Sequence, residues 1–131
     1  MSRMSTIDDQ LHREHHLIDR LCNDLCETLT DRNIRKAKRM LRQLRELVNS
    51  HFTAEELDWF PRLTAHNPRL KARADELMAD HVPLRRMLEE IATELDCANN
   101  ERSLFLCERL LRTMRGHAQQ EELLLPCDTG A

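Results

Sequence analysis

The sequence has little that bends or flattens a chain. It holds 2 glycines and 4 prolines in 131 residues, so few positions suit tight turns. Tyrosine is absent, tryptophan occurs once, and aromatics make up 3% of the chain. β-branched residues are sparse as well, and these shortages together argue against β-sheet. No apolar run approaches the roughly 20 residues needed to cross a membrane as a helix. The first ten residues are polar and lack the apolar segment of a secretory leader, which points to the cytoplasm. An excess of one charge is missing too: 20 Lys and Arg face 23 Asp and Glu, a net of -3 with His neutral. Arg is dense from Arg35 to Arg45, but the interspersed acids and the lack of interleaved aromatics argue against a nucleic-acid partner. The 5 cysteines are an odd count and, in a reducing cytoplasm, are expected as thiols.

What is present is a set of good helix formers, chiefly Leu, Arg, Glu, Met and Ala. Four long segments carry apolar residues at the spacing of packed helices. The first, about Thr6 to Thr30, has the stripe Leu11, His15, Ile18, Cys22, Leu25, Leu29, with Ser5 or Thr6 and Asp8, Asp9 as a capped start. The second, about Asn33 to Leu63, has Ile34, Ala37, Leu41, Leu44, Val48, His51, Glu55, then Trp59, Phe60 and the helix-disrupting Pro61. The third, about Pro68 to Ala98, has Leu70, Ala74, Leu77, His81, Leu84, Leu88, Ile91, Leu95. Pro83 lies inside that pattern and predicts a kink, or a break capped by Asp80. The fourth, about Glu101 to Leu125, has Cys107, Leu110, Met114, His117, Glu121, Leu124 before Pro126. Short loops between four long helices predict an all-α, up-down-up-down four-helix bundle, with residues 1–131 as one domain. Segments two and four echo each other in His51-x3-Glu55-Glu56 and His117-x3-Glu121-Glu122, a weak internal repeat of two helix pairs.

Each stripe is interrupted by one His, and two stripes carry a Glu one turn later. His15, His51, Glu55, His81, His117 and Glu121 therefore all point inward. In an antiparallel bundle the starts of odd helices and the ends of even helices share one end, so the six groups can share one layer. Unpaired buried ions cost several kcal/mol each, and a metal is the usual remedy. Two acids and four imidazoles make a nitrogen and oxygen site. A carboxylate one turn from a His can bridge two metals, so two such motifs suggest a dinuclear centre with positions left open for water, oxygen or another small ligand. Zinc, a mononuclear site and a metal-free core remain as alternatives. His12 and His16 share a face of their own, and His16 is carried as a candidate fifth imidazole; both also read as surface residues. No Glu-x-x-His pair occurs, which does not fit the ferritin-like pattern, and no His-Glu-x-x-His suggests a zinc protease.

At these residues the sequence resembles the hemerythrin-like, His-His-Glu cation-binding domains, over nearly the whole chain. The resembling stretches are Glu14-His15-x2-Ile18, His51 through Glu55-Glu56 to Trp59-Phe60-Pro61, Asp80-His81-x2-Leu84, and His117 through Glu121-Glu122 to Leu125-Pro126. The resemblance implies a centre of two non-haem iron ions with an oxo or hydroxo bridge, Glu55 and Glu121 as bridging carboxylates and the His residues as terminal ligands. It implies binding or sensing of dioxygen, of nitric oxide or peroxide, or of redox state, and a binding or sensing protein is favoured over an enzyme. Repair of iron–sulfur clusters and removal of peroxide or nitric oxide are related functions. Oxygen carriers of the family have a second His one turn after the third-helix His, where this chain has Arg85. The last motif also reaches its Pro one residue sooner than the second does. Both departures point away from simple oxygen transport and toward the His-poorer sensor and repair members. Without Tyr, no phenolate can bind iron and no tyrosyl radical can form. A sensing role would call for a separate protein partner.

Among the remaining residues, Glu56 and Glu122 are expected to hold imidazole N–H groups or face solvent. Cys22 and Cys107 read as small apolar core residues, and a Cys22–Cys26 disulfide would strain the helix. Gly116, just before His117, costs about 1 kcal/mol in a helix and either admits a close neighbour or is incidental. Trp59 and Phe60 read as core at the end of the bundle.

Overall fold

The computed structural model describes residues 6–125. Helix α1 spans Thr6–Thr30 and forms the first arm of the bundle. The second arm is α2, Ile34–Ala54, which runs through a π-helical turn, Glu55–Trp59, into α3, Phe60–His66. A short 3-10 turn, Pro68–Leu70, leads into the third arm, formed by α4, Lys71–Ala79, and α5, His81–Asp96. Helix α6, Asn100–Glu122, is the fourth arm. No strand occurs among the described residues, and the architecture is an up-down-up-down bundle. No described helix is long and apolar enough to cross a membrane.

Both proline interruptions have a local cause. In a regular helix the Pro61 ring would collide with the carbonyl of Leu57. The π turn widens the backbone just ahead of it, with the Phe60 N–H bonded to the Glu55 carbonyl. The extra residue in this turn lets the sequence neighbours Trp59 and Phe60 both enter the core. Ahead of Pro83 the helix breaks at Asp80, but the Asp80 side chain makes no cap hydrogen bond. The expected cap is thus corrected; the carboxylate of Asp80 is turned to His117 instead. At the start of α1, Ser5 lies outside the described residues, as does Pro126 at the other end. Asp8 is buried and accepts a 2.8 Å hydrogen bond from the Trp59 indole.

A repeat of 66 positions governs the chain. The turns after α1 and α5 are built alike: the Asn33 N–H bonds the Thr28 carbonyl at 3.1 Å and the Asn99 N–H bonds Glu94 at 2.9 Å. Arg32 and Ala98 both take the left-handed conformation, at φ 59 and 55, that usually calls for Gly at a helix end. The Asn33 and Asn99 side chains then cap α2 and α6 by accepting from the N–H groups of Lys36 and Arg102. The core follows the same register, pairing Leu11 with Leu77, Ile18 with Leu84, Leu25 with Ile91, and Leu44 with Leu110, all buried.

Two apolar clusters result. The larger fills the bundle from Ile18, Val48, Leu84 and Met114 toward the two Asn-capped turns. The smaller closes the opposite end with Leu11, Trp59, Phe60, Ala74, Leu77 and Leu125. Between them lies a polar layer. Of the expected apolar stripe residues, Ile34, Leu70 and Leu124 are only half-buried, and Leu125 takes the place of Leu124 in the core.

Gly116 admits no close neighbour, because a Cβ there would meet nothing within 4 Å. Gly116→Ala is therefore expected to stabilise the protein by about 1 kcal/mol through helix propensity alone. Thermal denaturation should show a rise in Tm of about 4 °C; a fall would mean that the glycine is structurally required.

Candidate metal centre

The polar layer is built from one residue on each odd arm and two on each even arm. On α1, His15 falls between Leu11 and Ile18, so the stripe that seals the core also turns the imidazole inward. His81 sits in the same way between Leu77 and Leu84. On the even arms His51 and Glu55, and His117 and Glu121, are spaced one turn apart on the buried face. His51 and His81 are 1% and 0% exposed, and Glu55 and Glu121 are both 0% exposed.

The two carboxylates split their oxygens between the imidazoles. Glu55 Oε2 lies 3.1 Å from His51 Nε2 and 3.7 Å from His15 Nε2, while its Oε1 lies 2.9 Å from His81 Nε2. Glu121 Oε1 lies 2.9 Å from His15 Nε2, and its Oε2 lies 3.1 Å from His117 Nε2 and 4.0 Å from His81 Nε2. Two groups form: His15, His51, Glu55 and Glu121, and His81, His117, Glu55 and Glu121, each with ligand atoms within 4.8 Å of one another. Both glutamates belong to both groups.

Outside this ring stands a second ring of acids. Glu14 lies 2.8 Å from His51 Nδ1, Glu56 2.6 Å from His81 Nδ1, Asp80 3.2 Å from His117 Nδ1, and Glu122 2.6 Å from His15 Nδ1. A carboxylate here can only accept, so every Nδ1 is the donor and every Nε2 faces inward. The pattern is cyclic: each arm supplies the acid that holds the imidazole of the next arm, and the fourth arm returns to the first. The sequence reading anticipated Glu56 and Glu122 in this role and missed Glu14 and Asp80. Each of those directly precedes a stripe His, and they stand one 66-residue repeat apart.

His16 does not join the site, which corrects the expected fifth imidazole. It is exposed, lying about a quarter-turn around the helix from His15, and its ring meets His12 edge-on at 4.8 Å. His12 bonds Glu122 at 2.6 Å. Arg85, standing where a further imidazole would fall, points outward over the Phe52 ring at 5.2 Å and bonds Glu56.

The two halves differ in one respect that matters. Phe52 stacks flat on His81 at 3.8 Å, filling the space beside that imidazole. Its counterpart in the repeat is Ala118, and there a cavity of about 30 Å³ opens beside His15, His51, His117 and Glu121. It has room for a molecule the size of water or dioxygen. Asp19 and Arg115, paired at 2.6 Å, stand at its rim.

The layer's electrostatics favour cations. Burial opposes protonation of His15, but Glu121 and Glu55 outweigh it and push its pKa up to about 10. The same opposition, resolved by Glu121, Glu55 and Glu56, raises His81 to about 9. His51 is raised as well, against its burial, by Glu14 and Glu55. Burial works against ionised Glu121, yet His117, His15 and His81 hold it well below the usual carboxylate range. Even so, Nε2 of His51, His81 and His117, both oxygens of Glu55 and Oε2 of Glu121 have no hydrogen-bond partner. Buried polar atoms are seldom left so. Convergent nitrogen and oxygen donors of this kind, once the imidazoles release their inner protons, fit a pair of metal cations, with Glu55 and Glu121 each able to reach both.

The family model for the hemerythrin HHE cation binding domain matches residues 6–127 of the chain. In comparisons with curated proteins and with solved structures, nothing matches it.

The raised imidazoles set a pH dependence for the metal-free protein. His15 and His81 stabilise the fold fully below their unfolded pKa of about 6.5, and that contribution is lost as pH rises through about 9 and 10. The lowered Glu121 acts in the opposite sense, stabilising above about 4.3 and failing as pH falls through its folded value. Tm measured without metal should therefore decline from neutral pH toward pH 10, and a flat or rising profile would contradict the ion-pair layer.

Proposed function

The chain belongs to the hemerythrin HHE cation binding domain family, and on that premise we propose that it holds two non-haem iron ions and binds or senses dioxygen, or a related small ligand such as nitric oxide or peroxide. The observation that carries this reading is the sharing of Glu55 and Glu121 by two otherwise separate pairs of imidazoles. His15 and His51 would hold one ion, His81 and His117 the other, and the two carboxylates both. Imidazole and carboxylate donors suit iron, and four protein donors per ion leave coordination positions open. When bound, the iron pair would supply redox chemistry and a place for a small ligand to attach.

The chain's own residues do the rest. Glu14, Glu56, Asp80 and Glu122 keep the Nδ1 protons, so the Nε2 lone pairs stay directed to the centre. The apolar clusters above and below exclude water from the layer. The cavity beside Ala118 admits a small molecule next to His15 and His51, whereas Phe52 fills the matching space beside His81. Its size selects for diatomic or peroxide-sized ligands. An enzyme-like role in peroxide or nitric oxide removal, or in iron–sulfur cluster repair, would draw on the same centre; a sensing role would add a protein partner.

Anaerobic titration with Fe(II) is expected to end at two ions per chain, with a rise in Tm by mass action and release of protons from the imidazoles. Glu121→Ala or His51→Ala should lower iron content sharply, and unchanged stoichiometry would sink the assignment. Counting equivalents of peroxide or nitric oxide consumed by the reduced protein separates the roles: about one per centre for binding or sensing, many for turnover.

Ala118→Phe should rebuild on the open side what Phe52 builds on the other. Two irons should still bind, while the optical change on adding the small ligand slows by about tenfold or more, because the added ring occupies the space the ligand must enter; tenfold corresponds to about 1.4 kcal/mol of barrier. Unaltered ligand kinetics would show that access lies elsewhere.

A further inference from the structure

Three of the cysteines collect at one interface of the bundle. Cys22 and Cys26 lie on α1 and Cys107 faces them from α6, all three buried. The equivalent interface of the repeat, between α2 and α5, has Leu88, Ala92 and Leu41 at these positions, so packing alone is satisfied there without sulfur.

The Cys26 and Cys107 sulfurs are 2.9 Å apart, closer than two non-bonded sulfurs rest in van der Waals contact. An S–S bond would need a further approach of only about 0.9 Å. The Cys107 thiol also reaches the Cys22 carbonyl at 3.7 Å. Cys22 itself contributes no sulfur within ligand range of the pair, for the three thiols are absent from the groups able to hold a metal ion. This excludes a three-thiolate metal site and leaves the pair.

From this juxtaposition we infer that Cys26 and Cys107 form a reversible, intramolecular disulfide that locks α1 to α6 when the protein meets hydrogen peroxide. Burial sets the choice of oxidant. Cys26 is 9% exposed and Cys107 is 0% exposed, so a large charged disulfide is kept out while a small neutral peroxide can reach the edge sulfur.

The chemistry balances in two steps. The Cys26 thiolate attacks one peroxide oxygen and the O–O bond breaks; the sulfur becomes a sulfenic acid and the departing hydroxide takes up the thiol proton as water. The Cys107 sulfur then attacks Cys26, the S–O bond breaks, and the leaving hydroxide takes the Cys107 proton as a second water. Two thiols and one peroxide give one disulfide and two waters. The order of attack follows from access and hydrogen bonding: Cys26, at the edge, donates to the Cys107 sulfur, while fully buried Cys107 donates to the Cys22 carbonyl, so peroxide meets Cys26 first. Desolvation lifts Cys22 to about 12, which leaves it inert.

The test uses the full chain, reduced, desalted and treated with hydrogen peroxide, followed by peptide mapping under non-reducing conditions. The expected result is a Cys26–Cys107 linked peptide, an intact mass lower by two hydrogens, and a Tm that rises and returns on reduction. Cys22→Ala and Cys97→Ala should leave the bond unaffected. Cys107→Ser should stop at a Cys26 sulfenic acid that a dione reagent traps. Persistence of both thiols in the folded, peroxide-treated protein, or disulfides mapped only to Cys97 or Cys127, would overturn the inference. So would linkage by glutathione disulfide at the rate seen with peroxide.

Discussion

The structure depends on the meeting of four imidazoles with two fully buried carboxylates. An isolated carboxylate at that depth would be driven to its neutral form. Here Glu121 is held ionised by His117, His15 and His81, and the imidazoles of His15, His51 and His81 are held up in turn by the acids around them. The arrangement is paired in charge yet incomplete in hydrogen bonding: His15 Nε2 bonds Glu121 Oε1, while Nε2 of His51, His81 and His117, both oxygens of Glu55 and Oε2 of Glu121 meet at ion-pair distance without a hydrogen bond. A purely structural ion-pair layer would close its bonds. One that keeps its donor atoms convergent can exchange imidazole protons for metal cations.

Around this layer the bundle is organised by a repeat. Helix turn, cap, core stripe, inward imidazole and outer acid recur 66 positions apart, so two helix pairs supply two equivalent halves of one centre. The outer acids join the halves by passing around the bundle, each arm steadying the next. Disturbing one arm therefore releases an imidazole on its neighbour rather than its own.

The departures from the repeat are where the halves acquire separate properties. Phe52 against Ala118 makes one side of the centre filled and the other open. Arg85 against Asp19 sends one partner to brace Glu56 and the other to the rim of the cavity. Cys26 and Cys107 against Ala92 and Leu41 put sulfur chemistry at one interface only. A scaffold built from two like halves thus gains a direction.

Much of this was legible in the sequence because helical periodicity reports burial directly. A stripe that seals a core must face inward along its whole length, so a His or Glu within it is inward too; this identified His15, His51, Glu55, His81, His117 and Glu121. Proline placement marked both interruptions. What spacing could not settle was anything dependent on the neighbouring helix. Asp80 looked like a cap because its own helix starts beside it, but its partner is His117 on another arm. His16 looked available because it adjoins His15, yet a quarter-turn of helix sends it to solvent. The roles of Glu14, of Ala118 and of the Cys26–Cys107 contact all depend on which arm lies alongside at what height. The linear chain by itself determined the helices, their buried faces and the inward-facing residues, because those follow from local backbone geometry. Only the tertiary structure decided which acid meets which imidazole, where space remains beside the centre and which sulfurs touch, because those are distances between helices.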